Sequence, residues 1–196
     1  MSKIAALGLV AALAFTGCGR SENNPSDGGT KAAADNTICK DAKGDTKVGL
    51  AFDVGGVGDQ SFNDSAYAGL KKAVAELGVG CTTGEAVQDE AESAREDRLR
   101  TMADAGMNPI IGVGFAYSEA VDKVSADYPD TNFAVIDGFD PTGDAANDNV
   151  AYLGFAENEG SFLVGAAAGL KTKTNKVGFV GGVHMDLIKK FEAGYT

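Results

Sequence analysis

From Thr46 onward, short apolar runs alternate with stretches of helical periodicity, and this alternation restricts the fold more than any other feature of the chain. Residues 48–52 read as a first strand. Tyr67, Leu70, Val74 and Leu77 then lay one apolar stripe along a helix that Gly78 ends. Residues 81–88 form a second expected strand, and residues 90–105 a highly charged helix read as a solvated face of local ion pairs. The third strand, residues 109–113, is apolar throughout, as a strand buried on both faces should be. A helix over 118–128, ended by Pro129, and a fourth strand over 132–136 complete three βα units. Such a series predicts an α/β fold with a parallel, doubly wound sheet. Right-handed crossovers place the loops after the strands on one edge, where ligands of open α/β sheets bind. After a polar loop the pattern restarts with a strand at 150–155, a small-residue helix at 158–170, a strand at 176–180 and a helix at 185–195. Residues 46–149 are therefore expected to be a complete first α/β lobe, and 150–196 part of a second. That second part lacks return strands, so the chain is expected to be the N-terminal portion of a longer two-lobed protein.

The first βα turn carries the chemistry. Asp53-Val-Gly-Gly-Val-Gly-Asp-Gln-Ser-Phe-Asn63 joins the first strand to its helix, with Ser61 and Asp64 spaced as a capping box. No lysine or arginine sits in it, which suits a neutral, flat, polar ligand better than a phosphate. A complete G-x-G-x-x-G is missing and Asp59 would repel a pyrophosphate. Asp53 and Asp137 end the first and fourth strands, and two ionised carboxylates on one edge suit the hydroxyls of a sugar diol. Phe62 is placed to stack on a ring, and Asn63 offers a donor and an acceptor in one plane, as reading a purine edge requires. Phe115, after the third strand, is a candidate second wall. For each of these residues an ordinary cap or core role remains open. His184 has no nucleophile partner in view, and no cofactor or metal is implied.

A formal charge of −11 argues against nucleic acid as a partner. Lys3 followed by an apolar stretch over residues 4–15 reads as an export signal too short to span a bilayer. It closes in Phe15-Thr-Gly-Cys18, which resembles a bacterial lipobox and marks Cys18 for lipidation; the alternative is a cysteine in an ordinary cleaved signal. Residues 1–18 are thus read as signal and lipobox. Residues 19–45 are polar and read as a flexible tether to an anchor at the extracytoplasmic face of the cell membrane. Outside the cytoplasm the remaining pair, Cys39 and Cys81, is expected to be a disulfide rather than catalytic.

The block Asp53-Val-Gly-Gly-x-x-Asp-x-Ser-Phe-Asn63 resembles the signature of the basic membrane protein family of lipoproteins. Asn132-Phe-Ala-Val-Ile-Asp-Gly138, Phe155-x-x-x-Glu159-Gly-Ser-Phe-Leu-x-Gly165 and Gly178-Phe-Val-Gly-Gly182 with Phe191-x-x-Gly194 are similar to its later blocks. The resemblance implies a type I periplasmic-binding-protein fold and a substrate-binding lipoprotein that serves the permease of an ABC importer. It implies purine nucleosides as ligands, with Asp53, Asn63 and Asp137 hydrogen-bonding them and Phe62 stacking on the base. A sugar-binding or sensory receptor on the same fold is the alternative, and a paired-carboxylate hydrolase such as a nucleoside hydrolase a more distant one.

Overall fold

The structure is a computed structural model and describes residues 37–144 and 147–196. The signal, Cys18 and the first part of the expected tether lie outside these residues. A short helix α1 (Thr37–Asp41) leads into β1 (Lys47–Phe52), α2 (Phe62–Leu77), β2 (Gly80–Glu85) and α3 (Glu92–Asp104). Then follow β3 (Ile110–Val113), a 3₁₀ turn (Phe115–Tyr117), α4 (Ser118–Ser125), β4 (Phe133–Ile136), β5 (Val150–Leu153), α5 (Glu157–Lys171) and α6 (Asp186–Tyr195). The five strands form one sheet in the order β2-β1-β3-β4-β5, and every pairing is parallel. The doubly wound α/β fold expected from the sequence is what forms.

Strand alternation explains the two layers of core. Ala51, Ile110, Phe133 and Val135 face α3 and α4, where Leu99, Met102, Tyr117, Val121 and Val124 cover them. Leu50, Phe52 and Val113 face the other side, against Tyr67 and Leu70 of α2. Most of these side chains are 0–2 % exposed. Each large one contributes about 1.5–3 kcal/mol by leaving water. Gly78 ends α2 in the left-handed conformation, donating its N–H to the Val74 carbonyl.

Four local expectations are corrected. The tether read as reaching residue 45 contains α1, because Ile38, Cys39 and Ala42 pack against the Leu50–Phe52 layer and Cys39 is bonded to Cys81 across 4.9 Å between Cα atoms. The strand at 150, placed at the start of a second lobe, instead pairs with β4 from Phe133↔Val150 to Ile136↔Leu153. Val150 and Tyr152 pack on the core beneath α3 and α4, so the sheet extends at least to Leu153. Residues 176–180 form no strand; Phe179 instead meets the Tyr195 ring of α6, with centroids 5.9 Å apart. Finally, the charge run is only partly a solvated face: Asp97 is exposed and Arg95 pairs with Glu92 at i,i+3, but the Arg95 and Arg98 side chains of α3 and that of Glu90 before it are only 12, 15 and 6 % exposed.

Candidate ligand-binding edge

Strand order reverses between β1 and β3, which puts a crevice at their carboxyl ends. The loop entering it from β1 is held by its own carboxylates. Asp59 Oδ1 accepts from the N–H groups of Ser61 and Asp64, at 2.8 and 3.0 Å, and Oδ2 from that of Asn63 at 3.0 Å. Asp64 reaches back to the N–H groups of Gly58 and Gln60, at 2.6 and 2.9 Å. Ser61 makes no side-chain cap, so the reciprocal cap joins Asp59 to Asp64 instead of Ser61 to Asp64. Desolvation pushes the Asp59 carboxyl upward, but these backbone N–H groups outweigh it and leave its pKa below the usual range. Gly56, at φ 57°, lies so close to the Glu85 carboxylate that any Cβ would collide with it.

Asp53 follows β1. Its Oδ1 accepts from Val54 N–H at 2.8 Å, and its carboxylate lies against Gly114, where a Cβ would collide with it. Gly114, at φ 90°, is the turn that lets β3 end under that carboxylate. Asn63 is 2 % exposed, and its amide is spent on the same residue. Oδ1 accepts from Asp53 N–H at 3.0 Å while Nδ2 donates to the Asp53 carbonyl at 3.3 Å. The sequence placed Asn63 facing a ligand, whereas the structure turns it inward to brace Asp53. The N–H and carbonyl of Asp53 match both ends of the amide, which makes that the better-satisfied position.

Phe62 stays at the surface, 42 % exposed, with its ring 5.9 Å from that of Phe155 and tilted by 57°. Phe155, not Phe115, is thus the ring that Phe62 meets. Phe115 opens the 3₁₀ turn after β3 and is half-buried beside Gly114. Phe62 and Phe155 line a cavity of about 570 Å³ together with Asp137, Glu157, Phe179 and Phe191.

Asp137 sits just past β4 at φ 60° and donates its N–H to the Leu153 carbonyl at 2.8 Å. Burial raises its pKa first and the Glu157 carboxylate adds to this, while Lys190 opposes both. Glu157 is 5 % exposed; its Oε2 has no hydrogen-bond donor and meets Lys190 Nζ at 3.8 Å. With β3 between β1 and β4, the strand ends carrying Asp53 and Asp137 are about 10 Å apart. The Asp53 carboxylate lies over Gly114 at the end of β3.

Behind the edge lies a buried charge network. Arg98 makes two bonds to Glu90, at 3.0 and 2.8 Å, and a third to Tyr117 Oη at 2.9 Å; Tyr117 donates to the Phe52 carbonyl at 3.1 Å. Burial pushes the Tyr117 phenol up to about 12 against the lowering effect of Arg98, so it stays a donor. Sequence reading missed Phe155, Glu157 and Arg95. Phe155 stood in a quoted motif without a role, and Arg95 was hidden in a run of charges that looked solvated.

Residues 46–196 match the Bmp family, described as ABC transporter substrate-binding protein PnrA-like. The chain belongs to this family. As a Bmp chain it is 38% identical, over 198 residues, to a CD4+ T-cell-stimulating antigen of Listeria innocua, covering 100% of this chain and 50% of that protein. It is 34% identical over 155 residues to the ABC transporter nucleoside-binding protein BmpA of Lactococcus lactis subsp. cremoris, covering 79% and 43%. A crystal structure of ABC transporter solute-binding proteins from Aeropyrum pernix K1 superposes with a TM-score of 0.62 at 33% identity, over 76% of this chain and 41% of that one. The type I periplasmic-binding-protein fold that the motifs implied is therefore the fold of this Bmp chain. The chain spans about half the length of the curated relatives it matches.

Proposed function

We propose that this Bmp chain supplies the first lobe, and the opening elements of the second, of an ABC importer's substrate-binding protein whose ligands are purine nucleosides. The observation that carries this reading is the Phe62–Phe155 ring pair, exposed on the rim of a cavity that also holds Asp137. Exposed aromatic rings offer apolar faces on which a flat base stacks, a contact contributing about 0.5–1.5 kcal/mol beyond burial. Carboxylates at the strand ends accept hydroxyl and ring N–H hydrogens. The absence of a basic phosphate cradle in the 53–63 turn favours a nucleoside over a nucleotide. The nucleoside-binding relative in Lactococcus supports the same ligand class.

In this reading α5 and α6, packed on each other, begin the second lobe, and residues 154–156 are where the chain leaves the sheet. Ligand docks on the sheet edge, the second lobe closes over it, and the closed form engages the permease. Cys18 carries the lipid that anchors the protein outside the cytoplasmic membrane, and the following polar residues tether the lobe. Titration calorimetry with inosine, guanosine, adenosine and ribose tests the ligand class. Saturable heat with nucleosides and none with ribose supports it; heat with ribose alone would transfer the site to sugars.

A further inference from the structure

The chain leaves the sheet between two carboxylates. Asp137 follows β4 and is tied to the end of β5, its N–H donating to the Leu153 carbonyl at 2.8 Å. Glu157 opens α5 on the far side of the 154–156 crossing. Its side chain is buried; Oε1 accepts from Phe155 N–H at 3.3 Å, and Oε2 has no hydrogen-bond donor. Both side chains line the same two cavities, of about 570 and 620 Å³. Lys190 Nζ of α6 stands 3.8 Å from Glu157 Oε2, beyond hydrogen-bond reach, on a side chain that is 58 % exposed. From the other elements the larger cavity is faced by Glu119 of α4, Asp140 after β4, His184 before α6, and Asp186 and Lys189 of α6, the last two bonded to each other at 2.8 Å. Like charges on both sides of the crossing disfavour each other, and a largely solvated lysine offsets them weakly.

We infer that Asp137 and Glu157 form a proton-operated latch at this crossing, which holds α5 to the end of β4 when Asp137 is protonated and loosens it when both carboxylates are ionised. A protonated carboxyl carries an O–H donor, the group that Glu157 Oε2 lacks, whereas an ionised one only accepts. The helix dipole favours a carboxylate in the first turn of α5, which makes Asp137 the member that takes the proton. Burial, then Glu157, raises the folded pKa of Asp137, with Lys190 opposing. The holding contribution is therefore complete below the ordinary aspartate value of about 3.9 and is lost as pH rises through the raised folded value. Ser161 Oγ donates to the Phe191 carbonyl at 2.6 Å and joins α5 to α6, so loosening α5 frees both helices from the sheet edge. The latch needs no ligand, and its failure leaves the nucleoside reading untouched.

The test follows the Asp137 and Glu157 carboxyl carbons of the whole ¹³C,¹⁵N-labelled chain from about pH 3 to about pH 8. Amide exchange is read at Glu159 and Gly160, whose N–H groups bond to the Ala156 carbonyl. Asp137 should titrate above its ordinary value, and the Glu157 carbon should move at the same midpoint. Exchange at Glu159 and Gly160, corrected for the intrinsic effect of pH, should quicken through that midpoint. Glu157→Gln should lower the Asp137 midpoint and Lys190→Met should raise it. Asp137→Asn, which keeps a donor at every pH, should slow the exchange about tenfold at about pH 7. An Asp137 midpoint unmoved in Glu157→Gln, or exchange indifferent to pH and to Asp137→Asn, would overturn the inference. If Glu157→Gln fails to fold by circular dichroism, the wild-type titration decides, and a Glu157 carbon that stays silent at the Asp137 midpoint overturns it.

Discussion

Asn63 shows how a residue that looks like a ligand contact becomes a brace. Its amide holds both the N–H and the carbonyl of Asp53, and so sets the angle at which that carboxylate leaves β1. Asn63→Ala is expected to lower stability by about 1–3 kcal/mol, measured by urea denaturation, because it strands two buried backbone groups. A loss below a few tenths of that would mean water takes over both bonds. Asp137 makes a prediction about pH. Its folded pKa is raised, by burial and then by Glu157, above an unfolded value of about 3.9. The protonated form therefore favours folding at low pH, and that contribution is lost as pH rises through the folded pKa. Asn tolerates the left-handed backbone found at this position. Asp137→Asn should raise the thermal midpoint at pH 7, with the gain disappearing below about pH 4. A difference from wild type that does not change with pH would contradict this account.

Among the elements, α1 depends most on covalent help. It is five residues long and has no buried residue, so it holds through Ile38 packing and the Cys39–Cys81 bond. Closing a loop of 42 residues stabilises the fold by about 4 kcal/mol in the chain-entropy description. The Cys39→Ser, Cys81→Ser pair should lose about 2–4 kcal/mol and expose residues 37–45 to proteolysis, read by mass spectrometry. The strands, α2 and its Gly78 stop were legible because period-2 and period-3.6 patterns report burial directly. Three features were not legible, the first two because their partners are remote in the chain. Arg95 and Arg98 look solvated until Tyr117 and Asp53 are brought beside them. β5 looks like a fresh start until it is laid along β4. Asp59 looks like a loop charge until three N–H groups converge on it. At the site, the positions of Asp53 and Asp137 just past β1 and β4 followed from the strand ends; the contact of Phe62 with Phe155 did not, since nothing local ties the two rings together.

At the scale of the molecule, Asp53 and Asp137 follow the carboxyl ends of their strands, where the proposal puts the ligand. Cys81 and Lys47 lie at the amino ends of their strands, so the chain enters the domain away from Asp53 and Asp137. If Cys18 carries the proposed lipid, Cys18→Ser should move the protein from the membrane fraction to the soluble fraction. Persistence in the membrane fraction would argue against lipidation at that cysteine. The most direct test of the central claim is an amide chemical-shift map of the ¹⁵N-labelled chain titrated with inosine. The account predicts saturable shifts confined to Asp53, Gly58, Phe62, Gly114, Asp137 and Phe155, abolished by Phe62→Ala. Shifts elsewhere on the molecule, or the same shifts persisting in Phe62→Ala, would contradict it.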